Sequence, residues 1–198
     1  MSRHRKLMAV SLGAALAAVL VTATTAYATL APGTTVTGSL APGTNMTFAG
    51  SINGVALTVT CTTFSGSGQT PSSPSKTVTL SAPPTISGCS DTLGGTDTIV
   101  TNANNGPWKL TASGKKGKYK LALDIPKAGA TFTSNVLSSC VITAEPKKAG
   151  KVTGKYDGND TTVVTNAPIK TQGSGCSSST ASSSATVVLS PAPGPPPF

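Results

Sequence analysis

Apolar and polar residues alternate with a period of two in eight short runs. These are VALTVTCT (55–62), KTVTLS (76–81), TDTIVT (96–101), PWKLTA (107–112), KYKLALD (118–124), SCVITAE (139–145), TTVVTN (161–166) and ATVVLS (185–190). Such alternation sends successive side chains to opposite faces of a strand, and β-branched residues suit that pleated surface. Pro and Gly clusters punctuate the chain between runs, and no helical periodicity persists beyond two turns. The pattern predicts an all-β chain, and the number and spacing of the runs point to an immunoglobulin-like β-sandwich.

The clearest local unit spans 107–124. Trp108, Leu110 and Ala112 share one face, opposite Lys109 and Thr111; Tyr119, Leu121 and Leu123 share another, opposite Lys118, Lys120 and Asp124. The segment SGKKG between the two runs suits a hairpin loop. A hairpin with an apolar inner face and a lysine-coated outer face is expected.

A longer period is superimposed on this. LAPGT stands at 30–34 and again at 40–44, with no third copy, so there is no ten-residue array. Pro42 and Phe48 recur instead as Pro126 and Phe132, 84 residues on, each Phe preceded by Thr. TLSAPPTISGCS and VTNAPIKTQGSGCS share Ala-Pro and a terminal Gly-Cys-Ser in the same order. These landmarks predict an internal duplication with halves near 30–113 and 114–190. The 107–124 hairpin straddles the junction, so one continuous domain over 29–190 is expected. The first LAPGT would lead into an opening edge strand, and SSSTASSS (177–184) reads as a solvated loop.

Four cysteines, Cys61, Cys89, Cys140 and Cys176, allow three pairings. The repeat favours Cys61–Cys89 and Cys140–Cys176. Zinc is disfavoured, because no C-x-x-C spacing is present.

The ends carry a different signal. MSRHRK precedes an uncharged Ala/Val/Leu-rich run, and AYA (26–28) offers small residues for cleavage after Ala28. This predicts a secretory signal peptide over 1–28 and a product that is secreted, extracellular or loosely attached to the cell wall, with no integral membrane segment left after cleavage. PAPGPPPF (191–198) is expected to be a disordered Pro-rich tail.

Cleavage would also remove His4, Arg3 and Arg5, leaving 12 Lys against six acids and a net charge of +6. A chain without His or Arg cannot build a Ser-His-Asp triad, a His-ligated metal site or a guanidinium clamp. The S-x-x-K matches at Ser73–Lys76 and Ser113–Lys116 need a helix to align Ser with Lys, and Pro74 and Gly114 fall inside them. Asp91 with Asp97, and Asp157 with Asp160, lack the oxygen density of a calcium loop, and DGND reads first as a hairpin turn. No enzyme, no cofactor and no metal are therefore expected.

Lysine density is the positive signal. Lys109, Lys115, Lys116, Lys118 and Lys120 form one cluster, and Lys147, Lys148, Lys151 and Lys155 a second. Such clusters suit an anionic cell-wall polymer or membrane surface; specific nucleic-acid reading would call for Arg and stacking aromatics. The sequence thus predicts a secreted, non-enzymatic structural or interaction protein with a lysine-rich contact surface. Its alternative is a small-molecule carrier with an apolar crevice near Trp108.

The stretches APPTISGCSDTLGGTDTIVTNANNGPWKLTA (82–112) and IPKAGATFTSNVLSSCVITA (125–144) resemble a group of uncharacterised secreted actinobacterial β-rich proteins with paired cysteines. The resemblance implies export and a disulfide-bonded β fold, and brings no activity with it. A looser likeness, of architecture alone, is to the apoproteins of enediyne antibiotics.

Overall fold

Each alternating run lies in a strand of the computed structural model, which describes residues 32–190 apart from 74, 116–117, 138 and 158–159. The expected signal peptide (1–28) and Pro-rich tail (191–198) lie outside the described residues. The strands are β1 (Thr35–Leu40), β2 (Met46–Ile52), β3 (Val55–Gln69), β4 (Thr77–Leu80), β5 (Thr85–Asp91), β6 (Thr96–Thr101) and β7 (Lys109–Lys115). They continue as β8 (Lys118–Ile125), β9 (Ala130–Ser134), β10 (Val141–Ala144), β11 (Gly150–Tyr156), β12 (Thr161–Ile169), β13 (Thr171–Ser174) and β14 (Ala181–Ser190).

Their pairing corrects the expected architecture. The order β1-β14-β12-β11-β8-β7-β4-β3 returns to β1, closing an 8-stranded antiparallel barrel rather than two stacked immunoglobulin-like sheets. From β3 the sheet continues outward through β5, β6, β9, β10 and β13 as an extension of the barrel. Alternation requires only that each strand bury one face, which a sandwich and a barrel both satisfy. Two long strands decide between them. The C-terminal part of β3 (65–69) pairs with β1, while its N-terminal part (55–61) pairs with β2. The long strand β14 likewise meets β1 at 187–190 and β2 at 182–184. So β1 and β2 occupy, one after the other, the slot between β3 and β14.

Two smaller expectations change with it. The strand after the first LAPGT is no edge, because β1 is bonded on both sides and closes the barrel. The serine-rich segment is a loop only in part: Ala181–Ser184 belongs to β14, and Ser183 is buried, its Oγ donating to the Ala167 carbonyl at 3.5 Å.

The cysteines pair in the order the repeat favoured. Cys61–Cys89 bridges β3 to β5, and Cys140–Cys176 ties the start of β10 to the turn after β13. The triplets β2-β3-β5 and β9-β10-β13 run in the same spatial order, each carrying one bridge, and β6 joins them. Asn53 and Gly54, with φ of 50° and 80°, make the tight β2–β3 turn, where both central residues need positive φ.

The interior is continuous from barrel to extension. Val36, Val78, Ala112, Leu121, Tyr156 and Leu189 pack the barrel, while Ile52, Leu57, Val59 and Ile142 pack around Cys61–Cys89 in the extension. Trp108, Ile125 and Ile169 form one part of the zone between, and Met46, Phe64 and Ala185 another. Phe48 touches the extension core and both parts of that zone.

Barrel closure depends on close backbone approach at Gly68, which pairs with Val36 on one side and Leu80 on the other. A Cβ there would strike the Thr79 carbonyl oxygen and lie 2.8 Å from Val78 Cγ1. Gly68→Ala is therefore expected to destabilise the fold by about 1–3 kcal/mol, the usual cost of overpacking. Denaturant titration checks this, and an unchanged midpoint would contradict a tight seam at β3–β4.

Candidate functional site

The 107–124 segment folds as β7 and β8 in register, from Lys109↔Asp124 to Lys115↔Lys118. Its inner residues Ala112 and Leu121 are buried, whereas Lys109, Lys118 and Lys120 are exposed. The second cluster reaches the same surface through β11, which pairs with β8 so that Lys151 lies opposite Asp124 and Lys155 opposite Lys120. The outer face of β7-β8-β11 thus presents Lys109, Lys118, Lys120, Lys151 and Lys155 from both sequence clusters.

Its internal electrostatics are uneven. Asp124 lies between Lys109 and Lys151, with Lys151 Nζ 3.1 Å from Asp124 Oδ1 and Thr111 Oγ1 donating to Oδ2 at 3.4 Å. An ion pair this exposed contributes little to stability. Next along the strands, Lys120 and Lys155 stand directly opposite one another, an arrangement that is destabilising unless a counter-charge sits between them. Lys147 and Lys148 are exposed in the turn leading into β11, at the far end of the row from Lys118. Lys116 lies outside the described residues, and of Lys115 only the backbone pairing with Lys118 is described.

A second feature lies inside. Trp108, 3 % exposed, donates its indole N–H to the Asn102 carbonyl at 2.8 Å and forms part of the wall of a partly open cavity of ≈150 Å³. The crevice anticipated near this residue lies at the junction of barrel and extension, a position set by pairings distant in sequence.

The third feature is an unequal pair of acids, read from the sequence as metal-ligand candidates of low density. Asp91 is well satisfied: Oδ1 accepts from the Leu93 and Gly95 amides, each at 2.8 Å, and Oδ2 accepts from Ser134 Oγ at 2.8 Å. These bonds outweigh its burial and hold its carboxyl below the usual range. Asp97, 6 % exposed, sits in register between Cys89 and Ser134. It is close enough to feel Asp91 and Ser134, yet neither of its oxygens completes a hydrogen bond. Burial, with the Asp91 charge adding to it, pushes its pKa up to about 6.

Among the described residues no group of three or more His, Cys, Asp or Glu could hold a metal ion, and no helix is long and apolar enough to cross a membrane. Of the S-x-x-K serines, Ser73 lies in a bend and Ser113 on β7, so neither has the helical setting that chemistry requires. Asp157 accepts from the Thr161 amide at 3.1 Å, where β11 turns back into β12. Glu145 is buried, its Oε1 accepting from the Lys170 amide at 3.0 Å. Comparison with protein-family models, curated proteins and solved structures gave no match. The molecule is an all-β domain of a kind in keeping with a structural or interaction role.

Proposed function

We propose that this chain is a secreted, non-enzymatic interaction protein whose lysine face holds an anionic polymer of the cell wall or extracellular matrix. One observation carries the reading: two lysine clusters separated in sequence converge on the outer face of β7-β8-β11, where Lys120 and Lys155 face each other directly. Cross-strand like charges cost stability in the free protein, and a multivalent anion laid across them removes that cost. Lysine ammonium groups act here as point charges, suited to a polyanion of loose geometry rather than to one bidentate ligand. Export, as the N-terminal segment suggests, would deliver the face to such polymers.

Retention on an immobilised polyphosphate or teichoic-acid matrix is the test. With roughly four or five lysines engaged, log affinity should fall with log salt at a slope of about −3 to −4. Lys120→Ser with Lys155→Ser should weaken retention about tenfold while leaving the melting temperature unchanged or slightly higher. Retention that ignores salt, or survives the double substitution, refutes the proposal.

A further inference from the structure

The cavity beside Trp108, open in part to solvent, is the second place where this fold departs from what stability alone would select. Interiors are normally filled to crystal-like density, with few voids larger than a water molecule. Here Phe48, Ile99, Leu123 and Phe132 pack against the core clusters and yet are only half-buried, because each also lines the chamber. These are the large side chains that would close the space if they were better packed.

The lining divides by chemistry. No charged side chain contributes to it, and most of the wall is aliphatic or aromatic. The hydroxyl residues of the lining are Thr131, Ser183 and a patch formed by Ser51, Thr171, Ser178 and Ser179, where the segment after β13 lies across the end of β2. That segment is held by the Ile52↔Ser178 bridge, by Ser51 N–H donating to Ser179 Oγ at 2.8 Å, and by Ser179 N–H donating to the Ser51 carbonyl at 3.0 Å. Cys176, bonded to Cys140, anchors it at its start. An apolar body and a neutral hydroxyl-bearing end are therefore offered within one chamber.

We infer that the cavity is a binding site for a neutral, largely apolar molecule of about single-ring size carrying one hydroxyl or carbonyl. Size sets the scale: an apolar cavity of about 150 Å³ has room for a molecule such as benzene or xenon. Charge fixes the class, since an anion or cation would be buried with no counter-charge. A second cavity of ≈90 Å³ lies on the other side of Met46, Phe64 and Leu123, which border both. Met46, with its flexible thioether, is the side chain best able to move and admit a longer ligand. The inference is independent of the lysine face.

The only tryptophan, Trp108, reports directly on the chamber. Titrating the disulfide-bonded protein with benzyl alcohol should change Trp108 emission saturably, whereas benzoate and glycerol at equal concentration should not. Ala144→Leu, which adds carbon atoms into the lumen, should weaken benzyl alcohol binding at least tenfold without lowering the melting temperature. In the unmodified protein, xenon under pressure should shift the methyl resonances of Ile99, Ile142 and Ile169, a readout that needs no variant. Absence of a saturable change in Trp108 emission, methyl resonances indifferent to xenon, or a folded Ala144→Leu protein that binds as before would each overturn the inference.

Discussion

Replacing Cys61 and Cys89 together by alanine is expected to cost the fold about 4 kcal/mol or more, and to cost more than the same change at Cys140 and Cys176. Chain entropy alone does not separate the two bridges. They close loops of similar length, with sequence separations of 28 and 36, worth about 3.5–4 kcal/mol each. Burial separates them. Cys61 is 0 % and Cys89 4 % exposed at the centre of the extension core, so losing both sulfurs also leaves a void among Leu57, Val59 and Ile142. In the other bridge Cys140 is buried in the same core, but Cys176 is half-buried in a turn, so its removal opens less of a void. Set against a typical net stability of about 5–15 kcal/mol, loss of the first bridge leaves little margin. Denaturant unfolding of both double variants under non-oxidising, non-reducing conditions measures the difference. A larger loss at Cys140–Cys176 would mean that the strap after β13, rather than the β3–β5 seam, holds the extension together.

The second large effect is electrostatic and depends on pH. Asp97 has a folded pKa of about 6 against an ordinary value of 3.8, so between those limits the folded state binds more protons than the unfolded one. Its favourable contribution is complete below the unfolded value and disappears as pH rises to about 6. The shift corresponds to about 3 kcal/mol across that window. Asp91 acts in the opposite sense: its lowered pKa contributes stability above the ordinary carboxylate range, which is lost as pH falls. The two are separated by comparing variants at fixed pH. Asp97→Asn should be more stable than the unmodified protein by about 1–3 kcal/mol at pH 8, and no more stable than it below pH 4. An Asp97→Asn protein that is less stable at pH 8 would show that the ionised carboxylate has a stabilising partner.

Much of the strand content was legible because alternation is local. All eight alternating runs fall in strands, and the lysine coat of the β7–β8 hairpin could be read from which residues share a face. The strands that were missed carry glycine and serine where a strand normally shows branched residues: TISGCSD in β5, GKVTGKY in β11 and TFSGSGQ at the end of β3. In β3 Gly68 permits the close approach at the seam, so a residue that made the segment look like a loop is one the barrel requires. Asn53-Gly54 is a strong hairpin signal in the sequence, and it forms the β2–β3 turn with both residues at positive φ. Lys151 and Lys155 join Lys120 only through the pairing of β11 with β8, across about thirty residues of intervening chain, and nothing local encodes that. The chamber beside Trp108 and the burial of Asp97 likewise depend on pairings distant in sequence, Asp97 lying on β6 between β5 and β9.

The shared slot between β3 and β14 bears on how the chain reaches this state. Strand β1, at 35–40, is bonded on both sides only when it meets β14 at 187–190, so the first and last described strands complete one seam. Contacts this distant in sequence come late and slowly, after the loop entropy of nearly the whole domain has been overcome. A nascent chain that has not yet delivered residue 187 has no partner for that edge of β1 and no closed barrel to enter. The pairings of β3 with β1, β2 and β5 can form early, but the barrel itself closes only when the last strand arrives.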